Sequence, residues 1–106
     1  MDLKELLQFI SLENERLIKL YASKTQRERI LSRTVKLTEE LGELCNEVLA
    51  FNGDQRKDKL AKLENNNLPN EFADVIITTL LLAETMGVDI EEALKNKIEK
   101  INKRYS

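Results

Sequence analysis

Hydrophobic residues recur at helical spacing along most of the chain, and the breaks between these stretches predict separate helices. The first helix is predicted to begin near Asp2, because Glu5 follows at the spacing of a capping box. The second is predicted over residues 26–52, after a similar pair, Thr25 and Glu28. Its apolar seam comprises Ile30, Thr34, Leu37, Leu41, Leu44, Val48 and Phe51.

A polar stretch separates these helices from the second half of the chain. Residues 54–70 are predicted to form a connector with one short helical turn at 59–63, and Gly53 is predicted to end the preceding helix. The third helix is predicted to begin around Pro69, a residue suited to a first helical turn. We expect this helix to be central and buried, since residues 72–83 are almost entirely apolar.

The end of the chain predicts a fourth helix. Gly87 is expected to end the third helix near Met86, and Asp89 with Glu92 is expected to cap the next. The pattern predicts an all-α fold class, a four-helix bundle that forms a single domain over residues 1–106. A chain of this length buries only a modest core, so we expect oligomerisation to complete the bundle.

Composition limits the classes of protein that fit this pattern. The net charge of −2 provides no basic field, so we expect no nucleic-acid partner. No apolar run approaches the roughly 20 residues of a membrane-spanning helix, and the N-terminus does not resemble a signal peptide. Cys45 is the single cysteine, which indicates a reducing compartment and a cytoplasmic protein. We expect Cys45 to be a small core residue.

The second helix carries many acidic residues beside its apolar seam, in the segment TEELGELCNEV (38–48). On a helical wheel of about 100° per residue, Glu40, Glu43 and Glu47 lie together, ~60° to ~120° to one side of the seam. Glu39 lies nearly opposite the seam and is predicted to be exposed. Glu40 and Glu43, three residues apart, are therefore predicted to form a functional carboxylate pair at the border of the buried surface. Glu47 is predicted to assist this pair from the same face.

A second carboxylate pair, Glu71 and Asp74, shares one face of the third helix, and Thr78 continues that face. If the two helices pack side by side, four carboxylates converge, and their repulsion must be relieved by protons, basic side chains or cations. Oxygen ligands suit hard ions such as Mg²⁺, Mn²⁺ and Ca²⁺. The chain has no histidine and one cysteine, which argues against a di-iron bundle and against zinc.

Basic residues extend this hypothesis to a substrate that contains phosphate. Mg²⁺ typically uses one or two protein carboxylates and completes its coordination with water and substrate phosphates. On the wheel, Arg29, Arg33 and Lys36 lie on the same face as the acidic residues. Further basic residues crowd the last turns of the fourth helix: Lys95, Lys97, Lys100, Lys103 and Arg104. Such side chains are what a triphosphate needs for binding.

The segment EELGEL followed by EFAD resembles the Glu-Glu-x-x-Glu and Glu-x-x-Asp signature of the MazG-like, all-α nucleoside triphosphate pyrophosphohydrolases. The resemblance covers about residues 30–105 and includes GVDIEEAL and KIEKINKRY. It implies an Mg²⁺-dependent enzyme that converts a nucleoside triphosphate to the monophosphate and pyrophosphate. Mn²⁺ would be a substitute ion, and the protein would be a homodimer or a dimer of dimers. A function in nucleotide-pool house-cleaning follows from the same resemblance.

The resemblance also implies residue roles, carried over by position. The metal ligands would be Glu40, Glu43, Glu71 and Asp74, with Glu40 or Glu43 also accepting a proton from the attacking water. Lys97 and Arg104 would contact phosphates, and Tyr105 would face the substrate. The tryptophan or histidine that lines the base pocket in some relatives is absent here. The base is therefore left open, with Phe51 and Asn52 as substitute contacts.

The same residues also allow a non-catalytic alternative, a helical dimerisation or interaction module. Glutamates that flank a helical seam are common solvated positions at the rim of a dimer interface. Lys36 and Glu40, four residues apart, fit an ordinary surface ion pair. Glu71 and Asp74 lie near a predicted helix N-terminus, where acidic residues interact favourably with the helix dipole.

Overall fold

Four α-helices make up the part of the protein that the computed structural model describes, residues 1–52 and 67–106. They are α1 (Leu3–Leu20), α2 (Gln26–Phe51), α3 (Asn67–Thr85) and α4 (Ile90–Lys103). These two ranges contain no strand, and the predicted all-α fold class is confirmed. The predicted connector turn at 59–63 and the predicted cap at Gly53 lie outside the described residues. No helix in the described ranges has the length and apolarity needed to cross a bilayer.

Helices α1, α2 and α4 begin at the predicted capping residues. Asp2 Oδ1 accepts a hydrogen bond from the Glu5 amide at 2.8 Å, and Asp89 caps α4 in the same way. At α2, the Glu28 amide donates to Thr25 Oγ1 at 3.1 Å, while the Thr25 amide donates to a Glu28 carboxylate oxygen at 2.8 Å. These bonds lower the pKa of Glu28. They satisfy amides that have no carbonyl partner within their own helix.

Helix α3 ends in a Schellman motif at Gly87. The φ angle of Gly87 is +68°, in the left-handed region that favours glycine. The Gly87 amide donates to the Glu84 carbonyl at 3.1 Å, and the Val88 amide donates to the Ala83 carbonyl at 3.0 Å. Two carbonyls that would lack partners at the helix end are thereby satisfied. The chain can then turn directly into the cap of α4.

We expect Gly87→Ala to lower the free energy of unfolding by about 1 kcal/mol, because a Cβ is strained at a positive φ. Gly42 in α2 is the matched control, since an added Cβ meets no atom within 4 Å at either glycine. Gly42→Ala should instead raise the free energy of unfolding by ~0.5 to 1 kcal/mol. Urea unfolding measures both values. Effects of the same sign would contradict this explanation of Gly87.

The chain divides into two compact units. One consists of Met1–Ile30 with Leu80–Ser106, and the other is Leu31–Thr79. Helices α2 and α3 contribute residues to both units, whereas α1 and α4 belong to the first unit alone.

The first unit has its core around Ile10 on α1, which is 1% exposed. Ser11 Oγ donates to a Glu84 carboxylate oxygen at 3.2 Å, and this bond links α1 to the end of α3. The side-chain amide of Gln26 donates to the Thr85 carbonyl at 2.6 Å. The Gln26 bond satisfies a carbonyl near the C-terminal end of α3 and links it to the start of α2.

In the second unit, the apolar side chains are less buried than the sequence predicts. Ala50 is 2% exposed, but Leu41 and Val48 of the predicted seam are 48% and 39% exposed. On α3, Phe72 and Ile76 are 49% and 52% exposed. The prediction of a helix buried on nearly all sides is therefore wrong for the isolated chain. In the single chain, several apolar side chains of this helix remain exposed to solvent.

Two further predictions on α2 and α3 need correction. Cys45 is exposed and is not a core residue. On the wheel it lies next to Leu41 and Val48, whose side of α2 is left partly uncovered. Helix α3 begins at Asn67, two residues before the predicted start. Pro69 is nevertheless tolerated, because an amide in the first turn has no partner within the helix.

Candidate metal centre

Three glutamates of the second unit form a carboxylate cluster, which consists of Glu40, Glu43 and Glu71. Each contributes one oxygen, and these oxygens all lie within 4.8 Å of one another. Glu40 and Glu43 come from α2, where a spacing of three residues places them on one face. Glu71 comes from α3. The structure thus brings together three of the four residues predicted as metal ligands.

Glu40 is the buried member of the cluster. It is 7% exposed although glutamate is among the residue types that are rarely buried. Its Oε1 lies 3.0 Å from Lys36 Nζ, whereas its Oε2 is buried and has no hydrogen-bond partner in the described part of the chain. An unsatisfied carboxylate oxygen away from water is costly. A positively charged ligand at this position would remove that cost.

The surroundings of Glu71 disfavour the charged form of its carboxylate. Burial raises its pKa, and the negative charges of Glu43, Asp74, Glu40 and Glu47 raise it further, in that order. Its Oε2 is buried without a hydrogen-bond partner among the described residues. The Glu71 carboxylate has therefore lost hydration and gained like-charged neighbours. Both effects favour proton uptake or cation binding.

Asp74, the fourth predicted ligand, is exposed and does not belong to the cluster. It lies one turn after Glu71 on α3 and is near enough to raise the pKa of that residue. The Thr78 hydroxyl donates to the backbone carbonyl of Asp74 at 2.6 Å. This bond gives Thr78 a backbone partner within α3. Metal ligation by Asp74 stays a prediction.

Glu47, the predicted accessory, lies near enough to the cluster to act electrostatically on Glu71. Its Oε2 is buried without a hydrogen-bond partner in the described residues, and its charge raises the pKa of Glu71. The sequence indicated this position of Glu47, because it follows Glu43 by four residues and lies on the same face of the helical wheel. Glu47 is therefore a further candidate ligand.

Lys36 and Glu39 lie at the solvent-exposed edge of the cluster. Lys36 Nζ lies 3.0 Å from Glu40 Oε1 and 3.8 Å from Glu39 Oε2. The Glu39 side chain is 59% exposed, as the wheel predicts. The hydrogen bond to Glu40 is the largest cause of the raised pKa of Lys36. Lys36 therefore supplies one positive charge beside the three carboxylates of the cluster.

The predicted substrate contacts lie outside the unit that contains the cluster. Lys97, Arg104 and Tyr105 belong to the first unit, and all three are exposed. Tyr105 is 85% exposed. Phe51, suggested as a contact to the base, is 68% exposed at the end of α2. The roles of these residues stay predictions.

The donor set of the cluster fits a hard divalent cation. Its ligands are carboxylate oxygens only, which suit Mg²⁺, Mn²⁺ and Ca²⁺. Two oxygens bound to one such ion are at most about 4 to 5 Å apart, twice the usual bond length. The oxygens of the cluster, all within 4.8 Å of one another, meet this condition. Glu71 is the fifth residue of α3 and lies beyond its first turn, where the helix dipole stabilises an acidic side chain less.

The fold and the cluster define an all-α protein with a carboxylate-lined candidate cation site. A model of the MazG-like family matches residues 31–106, and the chain belongs to this family. The resemblance found in the sequence is therefore confirmed. The matched range contains all three glutamates of the cluster and the predicted contacts on and after α4.

The chain is also similar to a protein of Bacillus subtilis (strain 168), Uncharacterized protein YpjD, with 35% identity over 74 residues. The aligned segment covers 70% of this chain and 65% of YpjD. The name of this relative states no activity, so the similarity supports no particular reaction. No solved structure gives a significant match.

Proposed function

We propose that the protein is a nucleoside triphosphate pyrophosphohydrolase that depends on Mg²⁺, with Mn²⁺ as a substitute. It hydrolyses a (deoxy)nucleoside triphosphate to the monophosphate and pyrophosphate. The observation that supports this most is the buried Glu40 oxygen within the three-glutamate cluster, which has no hydrogen-bond partner among residues 1–52 and 67–106. Membership of the MazG-like family supports the reaction class.

In this proposal, Glu40, Glu43 and Glu71 hold the cation, with Glu47 and Asp74 beside them. When bound, a divalent cation supplies positive charge that acidifies a water molecule and offsets negative charge on the phosphates. Burial of Glu40 fixes its carboxylate, and the spacing on α2 aligns Glu43 with it. The cluster therefore needs little rearrangement to accept a positive charge.

The reaction balances as an in-line hydrolysis at the α-phosphorus. The water oxygen forms a bond to this phosphorus, and the bond from the phosphorus to the oxygen that bridges to the β-phosphorus breaks. Pyrophosphate leaves with that oxygen and its electron pair. Glu43 accepts the proton of the water, since it is the exposed member of the cluster, whereas Glu40 already accepts a hydrogen bond from Lys36.

The remaining parts of the proposal rest on the resemblance and on exposed surfaces. Lys97 and Arg104 contact phosphates, Tyr105 contacts the substrate, and Phe51 stacks on the base. The protein acts as a homodimer or a dimer of dimers, because the half-exposed apolar side chains of α2 and α3 need a covering surface. Removal of unwanted nucleotides from the cytoplasmic pool is the proposed biological role.

Product analysis tests the reaction class. With Mg²⁺ and a panel of canonical and modified nucleoside triphosphates, we expect pyrophosphate and the monophosphate in equal amounts by phosphorus NMR. In ¹⁸O-labelled water, the label should enter the monophosphate and not the pyrophosphate, because water attacks the α-phosphorus. Excess EDTA should abolish turnover. Release of orthophosphate and a diphosphate, or no turnover across the panel, would contradict the proposal.

The half-exposed apolar residues also favour a second candidate, a non-catalytic dimerisation module. In that case the glutamates form only the rim of an interface. A module of this kind gains no thermal stability from Mg²⁺ or Mn²⁺, whereas a cation site stabilises the folded protein by mass action. Thermal unfolding with and without metal therefore separates the two candidates.

A further inference from the structure

Lys36 forms an unequal ion pair with the carboxylate cluster. Its Nζ lies 3.0 Å from Glu40 Oε1, but the lysine side chain is 59% exposed and that of Glu40 is only 9% exposed. The glutamate is thus held by its surroundings, whereas the lysine has room to move into solvent. If one partner leaves this pair, it is the lysine.

A divalent cation and the Lys36 ammonium would compete for Glu40. Both are attracted to the same carboxylate, and like charges a few ångströms apart repel each other strongly near a protein surface. The cation brings twice the charge of the ammonium and can contact Glu40, Glu43 and Glu71 together. We therefore expect cation binding to displace Lys36 from Glu40.

The displaced ammonium would have a new partner when a nucleotide is present. A lysine carries three rotatable donors on a flexible stem and binds phosphate as a point charge. A triphosphate that completes the coordination of a cation at Glu40 brings anionic oxygens to the neighbourhood of Lys36. The lysine can then exchange one anionic partner for another.

Resting on the proposed function, we propose that Lys36 is the internal counter-ion of the cation-free cluster, which a divalent cation displaces and which then binds a phosphate of the substrate. This exchange couples the two ligands. A cation alone has to compete with Lys36, whereas a cation with a triphosphate gives the lysine an alternative partner. Lys36 therefore disfavours occupation of the cluster by a cation without substrate.

Binding measurements on Lys36→Met test this inference without turnover. By calorimetry with Mn²⁺ alone, the variant should bind the ion roughly two- to fivefold more tightly than wild type, the effect of removing an exposed ion pair. With the Mg²⁺ complex of inorganic triphosphate, it should bind about tenfold more weakly, since a charge-assisted hydrogen bond is lost. Tighter binding of Mn²⁺ together with weaker binding of the triphosphate complex is the result that the exchange of partners by Lys36 predicts.

Two control variants isolate the charge of Lys36. Lys36→Arg keeps the positive charge and should bind Mn²⁺ as wild type does. Lys4→Met removes an exposed lysine of α1 and should change neither affinity. Unchanged or weaker Mn²⁺ binding by Lys36→Met, or unchanged triphosphate binding, would overturn the inference while the cation site stands. Absence of Mn²⁺ binding by wild type would instead refute the proposed cation site, and the inference with it.

Discussion

Glu40→Gln is expected to lower turnover about 100-fold or more while the helical fold is retained. Glutamine keeps the size of the side chain but removes the charge that binds the cation. Because a bound cation contributes several kcal/mol of transition-state stabilisation, a loss of its ligand costs at least two orders of magnitude in rate. Steady-state kinetics with the best nucleotide of the panel measures the effect, and circular dichroism checks the fold.

Glu39→Gln is the matched control for this experiment. Glu39 and Glu40 are adjacent on α2, and both lie within 4 Å of Lys36 Nζ, at 3.8 Å and 3.0 Å. Both substitutions change the net charge by the same amount, but only Glu40 belongs to the carboxylate cluster. Glu39→Gln should therefore keep near wild-type turnover. Equal losses in the two variants, or full activity in Glu40→Gln, would count against catalysis at the cluster.

The features that the sequence predicts well are those set within one helix. A cap depends on side chains three residues apart, so the Thr25–Glu28 pair could be predicted and is present with both hydrogen bonds. The common face of Glu40 and Glu43 follows from the geometry of α2. The exposed position of Glu39 follows from the same wheel.

The features that depend on packing between helices could not be predicted in the same way. Glu71 and Asp74 share one face of α3 on the wheel, and the placement of α3 against α2 decides that Glu71 joins the cluster. Glu47 shows the same limit, because its buried oxygen depends on its surroundings and not on α2 alone. Burial of Cys45 depends in the same way on what packs against α2, and the wheel alone did not predict that it is exposed.

Glu71→Gln is expected to raise the stability of the cation-free protein at neutral pH. The folded state raises the pKa of Glu71 above its ordinary value of 4.5, so above that value the folded protein binds more protons than the unfolded chain. The stability of the wild type then falls as pH rises from about 4.5 through the folded pKa. The neutral glutamine does not ionise, and the variant should lack this decrease.

Without a cation, Glu71→Gln is expected to be more stable than wild type, and cation binding should make it less stable than wild type. At a Mg²⁺ concentration 100 times the dissociation constant, wild type gains about 2.7 kcal/mol, whereas Glu71→Gln has lost a ligand and gains less. Thermal unfolding at neutral pH should thus rank the variant above wild type in EDTA and below it in saturating Mg²⁺. Glu15→Gln, which changes an exposed glutamate of α1, should follow wild type in both conditions. A constant difference between Glu71→Gln and wild type would show that Glu71 binds no cation, because only a ligand makes the order depend on the ion.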